Sequence, residues 1–270
     1  MDREAASLGA PFVNLFMISV IICSRDDARY QAVSSCYQRV LASTPFEIVR
    51  ISDASSLAEG YNRGMQRTRG ETLLFCHDDI EVIEPDFHAR LVGHLEHADL
   101  VGVAGTARLV SGRWDEAGPP YSYGQVVHPN PRSGWLEVAI WSAPSRRISG
   151  MQALDGLFLC GRREVFNALK FDQDTFRGFH LYDIDLTYRA FLAGYRLSVC
   201  CDLGIIHHSP GKYDQQWAAE AQLFQNKHRA TLPPNPQRPS QCSVIAVRQR
   251  EELLEVMHPP HWDTLAPIQK

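Results

Sequence analysis

Two adjacent aspartates follow a short apolar segment of the sequence. Asp78 and Asp79 come soon after residues 71–76 (ETLLFC), which predict a buried strand. Adjacent carboxylates at such a strand end repel each other, and a divalent cation or hydrogen-bond donors would remove that cost. Oxygen ligands with open positions suit Mg²⁺ or Mn²⁺ held together with substrate phosphates. From the pair alone, capping of the next loop is an equally good interpretation.

Polar residues also follow the two preceding predicted strands. Asp53 comes soon after the strand at 46–51 and could accept hydrogen bonds from a nucleotide base or ribose, or cap the next helix. Ser24 and Arg25 follow the strand at 17–23. Because ligands of open α/β sheets bind beyond the carboxyl ends of the strands, we expect these residues near the aspartate pair.

A carboxylate at the start of a later predicted helix could act as a general base. Asp183 and Asp185 begin the helix at 183–193, where acidic residues also stabilise the helix dipole. Asp183 shares a helical face with Leu186 and Ala190, so it can point to the core side, whereas Asp185 points elsewhere.

Two histidines follow the apolar residues 204–206 and lead into a Ser-Pro-Gly-Lys loop. A single histidine in this position is more often a hydrogen-bonded structural residue. The pair His207 and His208, together with Lys212, could instead complete a metal site or contact a diphosphate.

The order of predicted elements indicates an α/β fold. Strand and helix alternate four times before residue 105, which predicts a parallel sheet with helices on both faces. The predicted strands cover 17–23, 46–51, 71–76, 100–104, 135–141, 154–160 and 195–201, and the predicted helices cover 27–41, 57–68, 86–97, 162–169, 183–193, 215–228 and 251–257.

Composition excludes several protein classes. The chain has 270 residues, a formal net charge of −4 and a pI near 6.3, which argues against a generic nucleic-acid binder. The apolar run at 15–23 is too short to cross a bilayer, and residues 1–10 do not look like a signal peptide. Seven cysteines without a CxxC motif favour reduced, buried thiols. We therefore expect a cytoplasmic protein with no membrane span and no nucleic-acid partner.

Taken in order, these segments resemble the inverting glycosyltransferase family 2 with the GT-A fold, and within it the branch related to the streptomycin-biosynthesis glycosyltransferase StrF. The resemblance covers about residues 17–232. The matching segments are ISVIICSRDD at 18–27, ISDASSLAEGYNRGMQRTRGETLLFCHDDIEV at 51–82, LDGLFLCGRREVF at 154–166, FHLYDIDLTYRAFLAGYRLSV at 179–199, IIHHSPG at 205–211 and QWAAEAQLFQNKH at 216–228.

The resemblance implies an α/β fold of GT-A (Rossmann-like) type: a mostly parallel sheet flanked by helices, with a small mixed or antiparallel region on the acceptor side. We expect this domain at 1–232, with a nucleotide-binding half at about 17–105 and an acceptor half at about 106–232. A Pro-rich linker and a C-terminal tail helix would follow at 233–270.

The resemblance also implies roles for the strand-end residues. Asp53 matches the aspartate that binds the nucleotide base, and Ser24, Arg25 and Asp78 would also bind the nucleotide, Asp78 through the ribose. The donor would be a nucleotide sugar of UDP or dTDP type.

Metal binding is implied for the DXD-like motif, whose usual first aspartate is His77 here. That leaves Asp79 as the best ligand for Mn²⁺ or Mg²⁺, with His208 as a second ligand. Tyr182 stands where the family has a glutamate before the catalytic aspartate. His77, Tyr182, His207 and Lys212 are named as supporting residues.

The implied reaction is transfer of a sugar to an acceptor hydroxyl, with Asp183 removing the hydroxyl proton. Asp155 and Gly156 match a family segment that lines the acceptor pocket. Trp135 is one of the aromatic residues of 106–149 that could stack on a sugar or pack in the core. The acceptor would be a saccharide or another hydroxyl compound, and a homo-oligomer is left open.

Two other functions fit parts of the sequence. A non-catalytic, sugar-nucleotide-binding protein is supported by the departures at His77 and Tyr182. A metal-dependent nucleotidyltransferase or phosphohydrolase could use Asp78 and Asp79, but residues 17–32 contain no glycine for a phosphate-binding loop.

Overall fold

A computed structural model of the chain describes residues 17–142, 144–209, 211, 213–236, 239–259 and 262. Residues 1–10, considered above for a signal peptide, and Lys212 lie outside the described residues. Among the helices that are described, none has the length and apolar character needed to cross a bilayer.

Strands and α-helices alternate through much of the described chain. They are β1 Ile18–Cys23, α1 Asp27–Val40, β2 Phe46–Ile51, α2 Leu57–Gln66, β3 Thr72–Cys76, β4 Ile80–Val82, α3 Phe87–Leu95, β5 Leu100–Gly102, β6 Ala104–Thr106, β7 Ser122–Pro129, β8 Leu136–Trp141, β9 Ile148–Ser149, β10 Ala153–Leu154, β11 Phe158–Arg162, α4 Arg163–Leu169, α5 Tyr182–Leu192, β12 Leu197–Val199, β13 Ile205–His207, α6 Gln215–Lys227, β14 Ser243–Val247 and α7 Leu253–Met257.

The main sheet has the strand order β2-β1-β3-β11-β5-β12-β9. Strands β2, β1 and β3 run parallel and are connected through α1 and α2, as the alternating pattern predicts. The α/β class is therefore confirmed. The sheet is mixed, however, because β11 lies antiparallel between β3 and β5.

The direction of β11 has a consequence for the carboxyl edge of the sheet. Phe158, at the start of β11, pairs with Cys76, at the end of β3. The turn at 155–157, which precedes β11, is thereby placed beside the His-Asp-Asp segment that follows β3.

The single strand predicted at 100–104 is divided between two sheets. β5 belongs to the main sheet, whereas β6 pairs with β7 and β10 in the second sheet. Gly105 allows this close pairing, because a Cβ atom there would lie 2.3 Å from the carbonyl oxygen of Ala153.

The second sheet has the order β10-β6-β7-β13-β4, and β8 and β14 extend it from β7. The sequence analysis did not predict β4 or β14. All five residues of β14 pair with β8, and Leu253 and Met257 of α7 pack in a buried cluster with residues of the second sheet. Part of the segment expected to be a linker and tail is thus packed on the second sheet.

Local sequence explains how α2 approaches the main sheet. The Ser56 hydroxyl accepts a hydrogen bond from the Glu59 amide (3.1 Å), and the Glu59 carboxylate accepts one from the Ser55 amide (3.1 Å). Gly60 and Gly64 face β1, where added Cβ atoms would lie within 2.5 Å of Cys23 and Ile21 side chains. All seven cysteines are free in the structure, and five of them are buried.

Candidate active site

The carboxyl ends of β1, β2 and β3 open onto a cleft of about 540 Å³. Residues from five separate segments line it, including several of those predicted from the sequence. They are Cys23, Ser24, Arg25, Arg29, Ile51, Ala54, Leu57, His77, Asp78, Asp79, Phe179, His180, His207, Ser209 and Gly211.

Ser24 and Asp78 are in direct contact in this cleft. The Ser24 hydroxyl donates a hydrogen bond to Asp78 Oδ2 over 2.7 Å. Arg25 donates from Nη2 to the carbonyl oxygen of Ala54, at 2.8 Å. The guanidinium of Arg29 lies 3.7 Å from Asp78 and places a positive charge at the aspartate pair.

Asp53 is placed differently from these residues. Its side chain is 73% exposed and pairs with Arg63 at 2.9 Å, and it does not line the cleft, although Ala54 does. The hydrogen bond from Arg63 lowers the pKa of Asp53. The structure therefore does not bring the Asp53 carboxylate to the other predicted nucleotide-binding groups.

Three side chains form a compact cluster that could hold a metal ion: His77, Asp79 and His207. His207 Nε2 lies 3.4 Å from His77 Nδ1 and 3.3 Å from Asp79 Oδ1, and the third distance, His77 Nδ1 to Asp79 Oδ1, is 4.0 Å. Ligand atoms about 2.1 Å from one cation lie about 3.0–3.4 Å apart, so the cluster fits a cation after a small contraction. Two imidazoles favour a transition-metal cation over Mg²⁺, which prefers oxygen ligands.

The structure brings a different histidine to Asp79 from the one predicted as the second metal ligand. His207, and not His208, reaches Asp79. Successive side chains of an extended segment point to opposite sides, and His208 is half exposed, with its Nε2 atom 4.0 Å from a Glu81 oxygen. His77 and His207, which the sequence analysis named as supporting residues, thus join Asp79 in the cluster.

The pKa values of Asp79 and His77 are shifted towards the ionised and the neutral form, respectively. Burial alone would raise the pKa of Asp79, but the hydrogen bond and charge of His207 outweigh burial and hold that pKa well below its usual range. Burial and the neighbouring His207 lower the pKa of His77. An ionised carboxylate and a neutral imidazole are the ligand forms of these residues.

A smaller pocket of about 130 Å³ shares His77 and His207 with the cleft and is also lined by Asp155 and Asp183. Asp183 Oδ2 accepts a hydrogen bond from the Gly156 amide at 2.6 Å, and Asp155 Oδ1 accepts one from the Leu157 amide at 2.9 Å. Both carboxylates are thus anchored to the turn at 155–157.

Asp155 is oriented by a second contact, because the indole N–H of Trp114 donates to its Oδ2 atom at 2.7 Å. Burial, and then the charge of Asp155, raise the pKa of Asp183 to about 7. A carboxylate in a pocket with its pKa near neutrality has the property required of a general base.

The chain bends sharply just before Asp183. Leu181 has a φ of +57°, a left-handed conformation that is unusual for a bulky residue, and it is nevertheless buried. This bend starts α5 at Tyr182 and directs the first helical turn to the pocket. Strained backbone of this kind is often found at functional sites.

Aromatic residues at the mouth of the small pocket were missed by the sequence analysis. Phe179, Tyr213 and Trp217 line it, and the rings of the last two are 5.1 Å apart. The predicted Trp135 lies elsewhere, at the turn before β8, with its ring 4.4 Å from the guanidinium of Arg248. Phe179 and Tyr213 lie in irregular segments, where no periodicity marks them, whereas Trp217 lies in the first turn of α6, which was predicted as a helix without a role for this ring.

Comparison with known proteins gives structural and family relationships. No match was found among curated protein sequences. The solved structures with a similar arrangement include the mannosyltransferase PcManGT from Pyrobaculum calidifontis in complex with GDP-Man and Mn²⁺ (13% identity, TM-score 0.49, 82% of this chain), S. aureus TarS 1–349 (12%, 0.47, 78%) and GalNAc-T7 with UDP, GalNAc and Mn²⁺ (13%, 0.46, 73%).

The chain corresponds to only part of these structures, since it covers 66%, 66% and 44% of their respective chains. The family relationship spans most of this chain. Residues 19–230 match the model of a glycosyltransferase-like family. With its strand-end cleft and its paired carboxylates inside that region, the chain belongs to this glycosyltransferase-like family.

Proposed function

We propose that the chain is an inverting, metal-dependent glycosyltransferase of family 2 and GT-A type, in which Asp183 is the general base. The observation that carries this proposal is the shared pocket: His77 and His207 of the cation cluster and the Asp183 carboxylate line the same cavity. Family membership supports the reaction class. The order of the matching segments supports the StrF-related branch.

The larger cleft is the proposed donor site, for a nucleotide sugar of UDP or dTDP type. Asp78 can accept hydrogen bonds from the ribose, and Ser24 holds that carboxylate in place. Arg29 is placed to contact the diphosphate, because its guanidinium already lies within 4.0 Å of both aspartates. A divalent cation bound to His77, Asp79 and His207 would neutralise charge on the departing nucleoside diphosphate.

The small pocket is the proposed acceptor site. Ionised Asp183 accepts the proton of an acceptor hydroxyl, whose oxygen forms the new bond to the sugar C1 as the bond from C1 to the diphosphate oxygen breaks. Attack opposite the leaving group inverts the configuration at C1. Positioned general-base catalysis contributes about 10²–10⁴-fold in rate.

The aromatic residues at the pocket mouth support a saccharide acceptor. The side chains of Phe179 and Tyr213 are 44% and 60% exposed, and Trp217 packs edge-to-face against Tyr213. Exposed rings beside a pocket with two carboxylates can stack on the apolar face of a sugar while the carboxylates bind its hydroxyls.

A thermal-shift screen of UDP-, dTDP- and GDP-sugars, each with and without Mn²⁺, tests this function. A donor at a hundredfold excess over its Kd stabilises the folded chain by about 2.7 kcal/mol. We expect at least one donor to stabilise the wild type more strongly with Mn²⁺, and this Mn²⁺ effect to be lost in His207→Ala. His208→Ala is the matched control and should keep it.

Two results would contradict the proposal. One is that none of these nucleotide sugars changes the melting temperature. The other is that a bound donor never yields free nucleoside diphosphate with any hydroxyl acceptor, which would favour a non-catalytic binding protein.

A further inference from the structure

We infer that Tyr182 is a positioning residue that fixes the orientation and tautomer of His77 for cation binding and connects the cation cluster to the turn that anchors Asp183. This inference rests on the proposed function in one respect, the identity of the cluster as a cation site.

The hydrogen bonds of the Tyr182 hydroxyl determine which ring nitrogen of His77 carries the proton. The hydroxyl oxygen lies 3.1 Å from His77 Nε2 and 3.3 Å from the carbonyl oxygen of Gly156. A carbonyl oxygen can only accept, so the hydroxyl donates its one proton to Gly156 and accepts from His77 Nε2–H. The lone pair of neutral His77 is then on Nδ1.

Nδ1 is the nitrogen of His77 that faces the cluster. It lies 3.4 Å from His207 Nε2 and 4.0 Å from Asp79 Oδ1. Metal-binding histidines characteristically donate their other ring N–H to a fixed acceptor, which sets the tautomer and the ring orientation. Tyr182 provides such an acceptor for His77.

The hydroxyl of Tyr182 is held rigidly. The side chain is only 3% exposed, and its ring centroid lies 5.5 Å from that of Tyr61 and 6.0 Å from that of Phe171. Gly156 is packed closely against Tyr182 and Asp183, the first two residues of α5. A Cβ atom at position 156 would lie 2.5 Å from the Tyr182 hydroxyl and 2.6 Å from Asp183 Cβ.

The contact also explains two residues that depart from the resembled family. As the resemblance implies, His77 stands where that family has the first aspartate of its DXD-like motif, and Tyr182 stands where that family has a glutamate. In this chain the two replacements are hydrogen-bonded to each other, so they form one unit between the cation cluster and the Asp183 turn.

The test measures Mn²⁺ affinity of the full chain without nucleotide, by calorimetry or by electron paramagnetic resonance of free Mn²⁺. Tyr182→Phe keeps the buried ring and removes only the hydroxyl, and we expect it to weaken Mn²⁺ binding about 10–100-fold. Tyr188→Phe, the same deletion on the same helix, is the matched control and should bind Mn²⁺ like the wild type. In a His77→Ala background, Tyr182→Phe should cause no further loss.

A second measurement uses the wild type and does not depend on how a variant folds. ¹⁵N chemical shifts of the imidazoles in the cation-free protein should show His77 protonated on Nε2, and Nδ1–H would overturn the inference. Equal Mn²⁺ affinity of Tyr182→Phe and wild type, or additive losses in the double variant, would also overturn it. Absence of Mn²⁺ binding by the wild type would instead remove the cation site itself, and with it the metal-dependent part of the proposed function.

Discussion

Two aspartates in the first turn of α5 lie in opposite electrostatic environments. Asp185 is fully buried and contacts three basic side chains: His228 Nε2 and Arg189 Nε each lie 2.8 Å from a carboxylate oxygen, and Lys227 Nζ lies 2.6 Å away. Asp183, two residues earlier, instead accepts a backbone N–H and has the carboxylate of Asp155 as its charged neighbour.

The two pKa values move in opposite directions for this reason. Burial would raise both, but the hydrogen bond from His228 and the charges of Arg189 and Lys227 hold the pKa of Asp185 below its usual range. With no such cation, the pKa of Asp183 rises to about 7. The position of an acidic residue at a helix start therefore does not decide its role. The charges around it separate a structural carboxylate from one that can exchange a proton.

Replacing Asp183 should have the largest effect on catalysis. Asp183→Asn keeps the shape of the side chain but cannot accept the acceptor proton, so turnover should fall by about 10²–10⁴-fold. Its melting temperature should stay close to that of the wild type. Glu164→Gln, which changes an exposed carboxylate on α4, is the control and should keep full turnover. Near-normal turnover in Asp183→Asn would remove the base assignment.

Replacing Asp185 should instead act on stability. Asp185→Ala removes the buried carboxylate that His228 Nε2 and Arg189 Nε contact, and breaking such a buried pair costs about 3–5 kcal/mol of unfolding free energy. Denaturant titration measures this loss, and turnover per folded molecule should be little changed. Asp172→Ala removes the other, partly exposed anion of Lys227 and should cost only about 1 kcal/mol. Equal losses in the two variants would contradict the comparison.

The pH dependence of turnover should follow Asp183. The ionised form is the base, so turnover should fall as pH decreases through about 7. Asp155→Asn removes the neighbouring charge that raises this pKa, and the falling limb should therefore move to lower pH. A pH–rate profile of each protein measures the shift, with Glu164→Gln as a control that keeps the wild-type limb. An unchanged limb in Asp155→Asn would mean that Asp155 does not set the pKa of Asp183.

The smallest expected effect is on acceptor binding. Trp217→Ala removes one ring from the mouth of the acceptor pocket and should raise the acceptor KM about 2–10-fold, in line with about 0.5–1.5 kcal/mol for an aromatic contact. Donor affinity should be unchanged. Trp135→Ala, outside the pocket, should leave the KM unaltered. A raised acceptor KM in Trp135→Ala, with an unchanged KM in Trp217→Ala, would instead support the acceptor role that the sequence analysis assigned to Trp135.

The strands β1, β2 and β3 could be predicted closely from the sequence. β1 and β3 are short apolar runs that end at polar residues, β2 also contains Glu47 and Arg50, and the parallel pairing of the three strands places Ser24, Asp78 and Asp79 at one edge. The apolar residues that stabilise each of these strands lie within the strand itself, so the sequence pattern alone predicts the strand. Asp53 likewise follows a strand, β2, but its carboxylate pairs with Arg63 and is exposed at the surface.

The rest of the site depends on contacts between distant segments. Whether His207 or His208 reaches Asp79 depends on which side of the extended segment faces that aspartate. Two adjacent histidines in a sequence do not indicate this orientation. The carboxylates of Asp155 and Asp183 are both hydrogen-bonded to the turn at 155–157, which lies beside the end of β3 because β11 runs antiparallel to that strand. The alternation of strands and helices predicts only parallel neighbours.

The most direct test of the account is calorimetric titration of a UDP- or dTDP-sugar, with Mn²⁺ present, into wild-type and Asp183→Asn protein, alongside turnover measurements on both. If the donor cleft and the acceptor base are separate parts of one edge, Asp183→Asn should bind the donor with a Kd close to that of the wild type while losing turnover. Retained turnover, or a loss of donor binding large enough to account for the lost turnover, would contradict the assignment of Asp183 as the base.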